Sequence, residues 1–509
     1  MGATPEISVI APSYGDREQL GALLASLARQ TLAPERFETL VVDDGNEPPL
    51  SLDGLETPAG TQLIRQRHAG PAAARNMALR RARGRVLVFV NADGALADDA
   101  LARHLAHHEG GGGARAVLGR FDFLPRHRTP LVEVAERAGV LFPYPRLTPG
   151  EGQPFWAFWT GNLSATAAAV REAGGFDEGF PRAVWEDVEL GYRLARAGVP
   201  LVYDDGIGCD HDHALTLAGW ERHAEWFGHE WVRFSRKHGG ATFPILAGAD
   251  EPTEAFAWQC MAGLLHEHDA HEARRQALGA ALDGLAARVA AEPGRREALL
   301  AEDAARVDGL FVAVNTVARM RGIVGAIQGL DPEAMAARAA RLARPAVVHT
   351  VAQPRDLEAV PRLLDVVGDR ADLVVASAIY LSPGQLPDDR RLRAIRVPSA
   401  RSPREAWGPV LAATEADALI FVEGAPLPTA SAVRALARFL GVSPWVGAIG
   451  LAEPQGLAHT SGKIVPAAPR YVVATTREVL ERDPGGEGSF LDRLPQRALA
   501  QVALTLAGG

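Results

Sequence analysis

Acidic residues stand in this chain where an α/β sheet presents its ligands, just after short apolar runs. Asp43-Asp44 follows Phe37-Glu-Thr-Leu-Val-Val42, and Asn91-Ala92-Asp93 follows the run Arg85–Val90. Two more clusters lie downstream, Trp185-Glu186-Asp187-Val188-Glu189-Leu190 and Asp210-His211-Asp212-His213. Carboxylates at strand ends can share a hard divalent cation with phosphate oxygens, or accept from the N–H and O–H groups of a nucleoside. A Glu-Asp pair opening a helix can supply a general base. It also stabilises the helix dipole with no chemistry attached, and Asp-Asp-Gly-Asn is a common turn. The Asp-His-Asp-His run carries metal-binding side chains without a fixed zinc-type spacing. Arg75 can neutralise a phosphate or meet a base, or stand as an ordinary surface arginine.

Taken together, Val41-Val-Asp-Asp-Gly45, Ala74-Arg75-Asn76, Phe89-Val-Asn-Ala-Asp93, Gly161-Asn162, Gly174-Gly-Phe-Asp-Glu178 and Glu186-Asp-Val-Glu-Leu190 resemble a family 2 glycosyltransferase, in order and in spacing. The resemblance covers about residues 6–240. It implies a GT-A fold, the Rossmann-like nucleotide-diphospho-sugar transferase architecture, and a nucleotide-diphosphate sugar as donor, with UDP-sugars favoured. Asp93 matches the last aspartate of the family's Asp-x-Asp motif, the usual ligand of Mg²⁺ or Mn²⁺. Asn91 stands where the first aspartate belongs, which lowers the charge of the site. Asp43 and Asp44 match the pair that contacts the nucleoside, and Pro12, Ser13, Tyr14 and Arg75 are expected around the same donor. Asp187 matches the catalytic base of an inverting transfer, which needs one carboxylate near the acceptor hydroxyl and no nucleophilic second one. Glu186 is expected to position the acceptor or the base. His211 or His213 is expected to complete the metal or pyrophosphate site, one more readily than both. Trp156, Trp159 and Trp185 are candidates for an acceptor platform, with burial in the core as the competing reading.

The elements that must position these residues alternate β-α-β-α-β from the start. Ile7-Ser-Val-Ile-Ala11 is strand-like, Leu20, Leu23, Leu24 and Leu27 recur at helical spacing, and a helix is predicted over Pro71–Arg83. This implies a parallel sheet with helices on both faces and ligands at the carboxyl ends of the strands. A short strand is predicted over Val199–Tyr203. Residues 244–342, rich in Ala, Leu, Arg and Glu, read as a helical linker or bundle broken near Glu292-Pro293-Gly294 and Gly329-Leu330-Asp331-Pro332. His266, His268 and His271 within it read as a solvated polar face. The strand–helix alternation then returns, and Ala418-Leu-Ile-Phe-Val422 repeats Val86-Leu-Val-Phe-Val90. We therefore expect three domains: a catalytic GT-A domain over 1–243, helices over 244–342, and a GT-A-like pseudo-catalytic domain over 343–509. Ala376, Ser377 and Ala425 take the places of Asp43, Asp44 and Asp93, while Trp407-Gly408 replaces Arg75-Asn76.

A formal net charge of −9 disfavours a nucleic-acid binder that relies on a basic surface. Two cysteines make no disulfide framework, so a reducing cytoplasm is the expected location. No signal peptide precedes the first strand, and the most apolar stretch, Val307–Ile327, contains Asp308, Asn315, Arg319 and Arg321, so no transmembrane segment is expected. The expected acceptor is a glycan, peptide or small molecule, and the last domain is a possible route to a homo-oligomer. Two rivals are a nucleotide-sugar-binding scaffold without turnover and a nucleotidyltransferase on a similar fold. The second needs a Gly/Arg/Lys-rich phosphate loop, of which Pro12-Ser-Tyr-Gly-Asp-Arg17 is a poor version.

Overall fold

Runs of β-branched and apolar residues, buried on both faces, set the centre of the first sheet. β1 (Ile7–Ser13), β2 (Phe37–Asp43) and β4 (Val86–Val90) carry almost no exposed residue, as strands of an α/β sheet covered on both sides must. The computed structural model describes residues 4–15, 17–109, 113–239, 254–382, 384–397, 409–422, 427, 430, 433–434, 436–437, 448–451 and 472–476. They divide into two units, Met1–Ala247 with His271–Arg319, and Gly248–Ala270 with Met320–Gly509.

In the first unit α1 (Arg17–Ala28) follows β1, and β3 (Thr61–Arg65) and α2 (Pro71–Leu79) separate β2 from β4. Then come β5 (Gly94–Leu96), α3 (Ala100–His107), β6 (Ala116–Phe123), α4 (Pro130–Arg137), β7 (Asn162–Thr166) and α5 (Ala167–Glu172). The unit's core continues through α6 (Glu186–Arg196), β8 (Leu201–His211) and α7 (Leu217–His238). The sheet order is β3-β2-β1-β4-β7-β6-β8-β5. The expected parallel sheet holds for β3-β2-β1-β4. Beyond β4 it becomes mixed, because β7 runs antiparallel to both β4 and β6 and β5 pairs antiparallel with β8. The strand predicted over Val199–Tyr203 starts two residues later and runs on to His211, since its second half pairs with β5 and with the end of β6. Register places Ser13 beside Asp43, so the first two sequence motifs share one sheet edge.

Two long helices follow, α8 (Glu254–Ala291) and α9 (Arg296–Ile327), broken at Pro293–Arg295 as expected. In the first unit they form a core with α4 and α7 built on Leu131, Trp220, Leu278, Leu282, Val307, Phe311 and Val314. His271 is buried, 3.8 Å from Glu221, and does not lie on a solvated face; the side chains of His266 and His268 lie outside the described residues. The segment Pro293–Ile327 is long and apolar enough to cross a membrane by length and composition, but half of its most apolar window is buried, as in a core helix. There the Trp220 indole N–H donates to Asn315 Oδ1 at 3.2 Å.

In the second unit α10 (Pro332–Leu342) precedes β9 (Ala346–Val351), α11 (Val360–Val367), β10 (Asp372–Ser377), β11 (Leu392–Arg396), β12 (Ala418–Val422), β13 (Ala448–Leu451) and β14 (Val472–Thr476). The order is β11-β10-β9-β12-β14-β13, with β12–β14 and β14–β13 antiparallel. This is the order and direction of β3-β2-β1-β4-β7-β6 in the first sheet. Main-chain bonds recur too. Asp44 N–H donates to Ser13 O at 3.0 Å and Ala378 N–H to Val351 O at 2.8 Å; Gln66 N–H donates to Asp43 O and Val397 N–H to Ser377 O, at 2.9 and 2.8 Å. With Phe421 set opposite Phe89, the register places Ser377 at Asp43 and Ala378 at Asp44. The sequence offset named Ala376 and Ser377, one residue early. Trp407, Gly408 and Ala425 lie outside the described residues.

Candidate active site

Asp93 closes the turn after β4, and the β5–β8 ladder pairs its neighbour Gly94 with His211. Asp212 N–H donates to Asp93 O at 2.8 Å, which draws the end of β8 onto this turn. As a result Asp93 Oδ2 lies 3.2 Å from His211 Nε2 and 3.6 Å from His213 Nδ1. The ligand atoms of Asp93, His211 and His213 all lie within 4.8 Å of one another, so both histidines reach the aspartate. His211 is held by Phe121, stacked at 4.1 Å between centroids, and by Phe123 at 4.7 Å. Asp93 Oδ1 and His211 Nδ1 are buried without a hydrogen-bond partner. Burial, and then His211, hold the His213 imidazole below its usual range, in the neutral form a metal ligand needs. One carboxylate and two imidazoles, with an unpartnered carboxylate oxygen, fit a divalent cation that takes its remaining ligands from phosphate oxygens. Two nitrogen donors suit Mn²⁺ better than the all-oxygen preference of Mg²⁺.

The second cluster forms where α2 meets the start of α6. Arg75 is 3 % exposed. Its Nη1 donates to Glu186 Oε1 at 2.8 Å and its Nη2 reaches Asn91 Oδ1 at 3.4 Å. Arg75 is therefore no surface arginine but a buried bridge from the Asn91 turn to the Glu186-Asp187 pair. Its Nε and Glu186 Oε2 have no partner. Burial, and then the Asp187 charge, push the Glu186 carboxyl up to about 7 against the pull of Arg75. Burial also raises Asp187, restrained by Arg75 and by backbone donors. Those donors are Val188 N–H at 2.8 Å on Oδ1 and Thr160 N–H at 3.3 Å on Oδ2. The approach of Thr160 depends on Gly191, where a Cβ would overlap Phe158 and the Phe155 carbonyl, so only glycine lets α6 lie this close.

The tryptophans separate. Trp156 and Trp159 are half-buried near Thr160, ring centroids 6.1 Å apart. Trp185 is 3 % exposed, donates its indole N–H to Phe227 O at 3.0 Å and packs on Phe227 and Phe234. Its faces are covered, so it belongs to the core and not to an acceptor platform. It also takes a left-handed backbone, φ 72°, a conformation that costs a bulky residue about 1 kcal/mol or more. That conformation turns the chain into Glu186-Asp187.

Asp43 and Asp44 are engaged by the chain itself. Asp43 accepts from Asn46 N–H, the Asn46 side-chain amide and Leu50 N–H, at 2.8 to 3.1 Å; burial opposes its ionisation, but these donors hold the carboxyl below its usual range. Asp44 accepts from Gln66 Nε2, Ala69 N–H and Gly70 N–H at 2.7 to 2.9 Å. Their described contacts are those of loop-formers, which fix the rim that Tyr14 overhangs. Tyr14 is 64 % exposed and stacks on His68, 4.1 Å between centroids. Ser13 Oγ is buried and unpartnered beside them, and Pro12 is half-buried. Sequence reasoning missed His68 and Thr160: one lies in an unpatterned loop, and the other contributes only a backbone N–H. Asn76 is a clamp, its amide exchanging bonds with Phe176 N–H and O at 2.9 Å and reaching Glu178 at 2.9 Å.

The profile of Glycosyl transferase family 2 matches residues 8–146. The validoxylamine A glucosyltransferase of Streptomyces hygroscopicus subsp. limoneus is 32 % identical over 249 residues, covering 42 % of this chain and 54 % of the relative. The uncharacterized glycosyltransferase YfnE of Bacillus subtilis (strain 168) is 31 % identical over 241 residues, covering 38 % and 61 %. The chain thus spans between half and two thirds of the length of these relatives. Among solved structures a mannosyltransferase from Pyrobaculum calidifontis aligns at 20 % identity over 64 % of this chain and 88 % of that one, with a TM-score of 0.38, too loose a superposition to bear on the site.

Proposed function

We propose that this chain, which carries a family 2 glycosyltransferase domain across residues 8–146, transfers a glycosyl group from a nucleotide-diphosphate sugar to an acceptor hydroxyl with inversion. The observation that supports this reading best is the pairing of two clusters beside the β4 turn. Asp93, His211 and His213 gather metal-binding atoms, and Arg75 ties Asn91, two residues before Asp93, to Glu186-Asp187. Bound there, Mn²⁺ or Mg²⁺ supplies positive charge for the departing diphosphate. Asp93, His211 and His213 hold it, and Tyr14, His68 and Ser13 line the nucleoside end. Asp43 and Asp44 act on the donor chiefly by shaping that rim.

Asp187 takes the proton of the acceptor hydroxyl. Its carboxylate is oriented by Thr160 and Val188 N–H groups, and a raised pKa makes it a stronger base than an exposed aspartate. Arg75 keeps enough positive charge beside it for ionisation. Glu186, held by Arg75 through one oxygen, turns its free Oε2 to a sugar hydroxyl. Trp156 and Trp159 offer aromatic faces on the acceptor side. The name of the validoxylamine A relative favours a glucosyl group as the one transferred.

The second unit supports a non-catalytic role. Its sheet repeats the first, yet Ser377 and Ala378 occupy the places of Asp43 and Asp44. We read it as a GT-A-like domain without a donor site.

Transfer assays with UDP-, dTDP- and GDP-sugars, resolved by NMR for the anomeric configuration of the product, test the mechanism. The expected product is inverted, and Asp187→Asn lowers kcat by roughly 100-fold or more, the usual worth of a general base. A retained configuration, or full activity in Asp187→Asn, rejects it.

A further inference from the structure

Several buried or half-buried arginines described in the first unit have carboxylate partners. Arg75 has Glu186, Arg193 has Glu189, and Arg128 has Glu133 and Glu136. Arg319 is different. It makes no hydrogen bond or ion pair among the described residues, and its Nε is buried without a partner. Its contact is the face of Phe227, with Cζ 4.5 Å from the ring centroid. Burial alone lowers the guanidinium to about 10, which leaves it charged at neutral pH. Arg319 is half-buried as a residue with its Nε fully buried, and withdrawing an unpaired charge from water is costly; a cation–π contact returns only part of that cost.

Its position is fixed. At Gly228 a Cβ would overlap the Arg319 carbonyl oxygen, so α7 and α9 touch backbone to backbone at this point. Trp220 and Asn315 pin the same helix pair, about one turn from Arg319 on α9 and about two turns from Gly228 on α7. Trp220, His223 and Phe227 follow at i, i+3 and i+7 on the face of α7 turned to Arg319, with ring centroids 5.4 and 6.5 Å apart in succession. His223 makes no hydrogen bond among the described residues. Burial, and then the charges of Arg319 and His213, hold its imidazole down to about 4. This group of rings and one guanidinium contains no carboxylate.

Two connections set it beside the catalytic groups. Trp185, which precedes Glu186-Asp187, donates to the Phe227 carbonyl and packs on the Phe227 ring. His213, within electrostatic reach of His223, belongs to the Asp93 cluster.

We propose that Arg319 and His223, with the Phe227 face as floor, form an anion-binding subsite for a phosphate or carboxylate group, next to the site proposed above. Arg319 offers its free N–H donors in the planar fork that such oxyanions accept, and His223 offers a neutral N–H. No carboxylate is among the groups that shift Arg319 or His223. Two sources share this chemistry: the diphosphate of the donor as it leaves, or an acidic group on the acceptor. The subsite rests on the transferase reading for its purpose but not for its existence.

The test is a calorimetric titration of the full-length protein with inorganic phosphate, with no metal and no nucleotide present. The expected result is saturable binding that weakens at least tenfold in Arg319→Gln and is partly kept in Arg319→Lys, with unchanged circular dichroism. Absence of phosphate binding in the wild-type protein, or equal affinity in Arg319→Gln, overturns the proposal. Should Arg319→Gln not fold, His223→Phe takes its place with the same two readings. Repeating the titration with saturating UDP and Mn²⁺ identifies the source. Competition assigns the subsite to the diphosphate, and undisturbed phosphate binding assigns it to the acceptor. A protein that binds phosphate through Arg319 yet transfers no sugar keeps the subsite and loses only the transferase reading.

Discussion

Arg75 sets the electrical state of the Glu186-Asp187 pair. Burial raises both Glu186 and Asp187, and Arg75 is the group that restrains both. A base raised above its ordinary range is protonated, and idle, over a wider acidic span. With Asp187 as the base, the rate is therefore expected to fall as pH drops through carboxyl values that burial sets above the usual range. Removing Arg75 removes the restraint, so the acidic limb of the pH–rate profile moves to higher pH in Arg75→Met. An unmoved limb with a lower plateau would assign Arg75 a structural role alone. The same side chain shows a limit of reading residues in sequence: Ala-Arg-Asn gives no sign that its arginine is buried, because burial comes from α6, 111 positions away. Asp43-Asp44 gives the opposite lesson. The turn reading and the donor reading were both open, and the structure shows carboxylates engaged by loop donors at every oxygen.

At the scale of elements, α3 carries an acid-sensitive contact with β7. His104 is fully buried, 3.0 Å from Asn162 Oδ1, and His108 lies 2.9 Å from Ser164 Oγ. Burial lowers them to about 4 and about 3. A histidine whose folded pKa is depressed leaves the unfolded state binding more protons below 6.5. Its stability contribution is complete above 6.5 and is lost as pH falls towards the folded value. For His104 the loss amounts to about 3 kcal/mol by the 1.4 kcal/mol per unit relation. Urea unfolding between pH 7 and 4 is expected to show this slope, shallower in His108→Phe; an identical slope in that variant would locate the sensitivity elsewhere. β1, β2 and β4 were legible in sequence because strands buried on both faces are continuous apolar runs. β3 and β7 were not: β3 is a half-exposed edge, and β7 mixes Asn, Ser and Thr into its buried positions. The antiparallel part of the sheet, which brings His211 to Asp93, begins at the unpatterned β7.

Across the described residues, one sheet plan occurs twice, and at the places of Asp43 and Asp44 the second copy carries Ser377 and Ala378. The repeat of Val86–Val90 in Ala418–Val422 was visible in sequence, but the one-residue register that sets Ser377 against Asp43 needed the strand pairing. Each chain is therefore expected to bind one nucleotide-sugar; a titration returning two sites would overturn the reading of the second unit. The measurement that bears most directly on the account is nucleotide-sugar binding by calorimetry, with and without Mn²⁺, in the wild-type protein and in Asp93→Ala. On the proposed reading, the convergence of Asp93, His211 and His213 serves to meet the donor's diphosphate through a cation. The account predicts that one nucleotide class binds in a Mn²⁺-dependent way and that Asp93→Ala abolishes the metal dependence. Binding by no nucleotide-sugar with either Mn²⁺ or Mg²⁺, or equal Mn²⁺-dependent binding in Asp93→Ala, would contradict it.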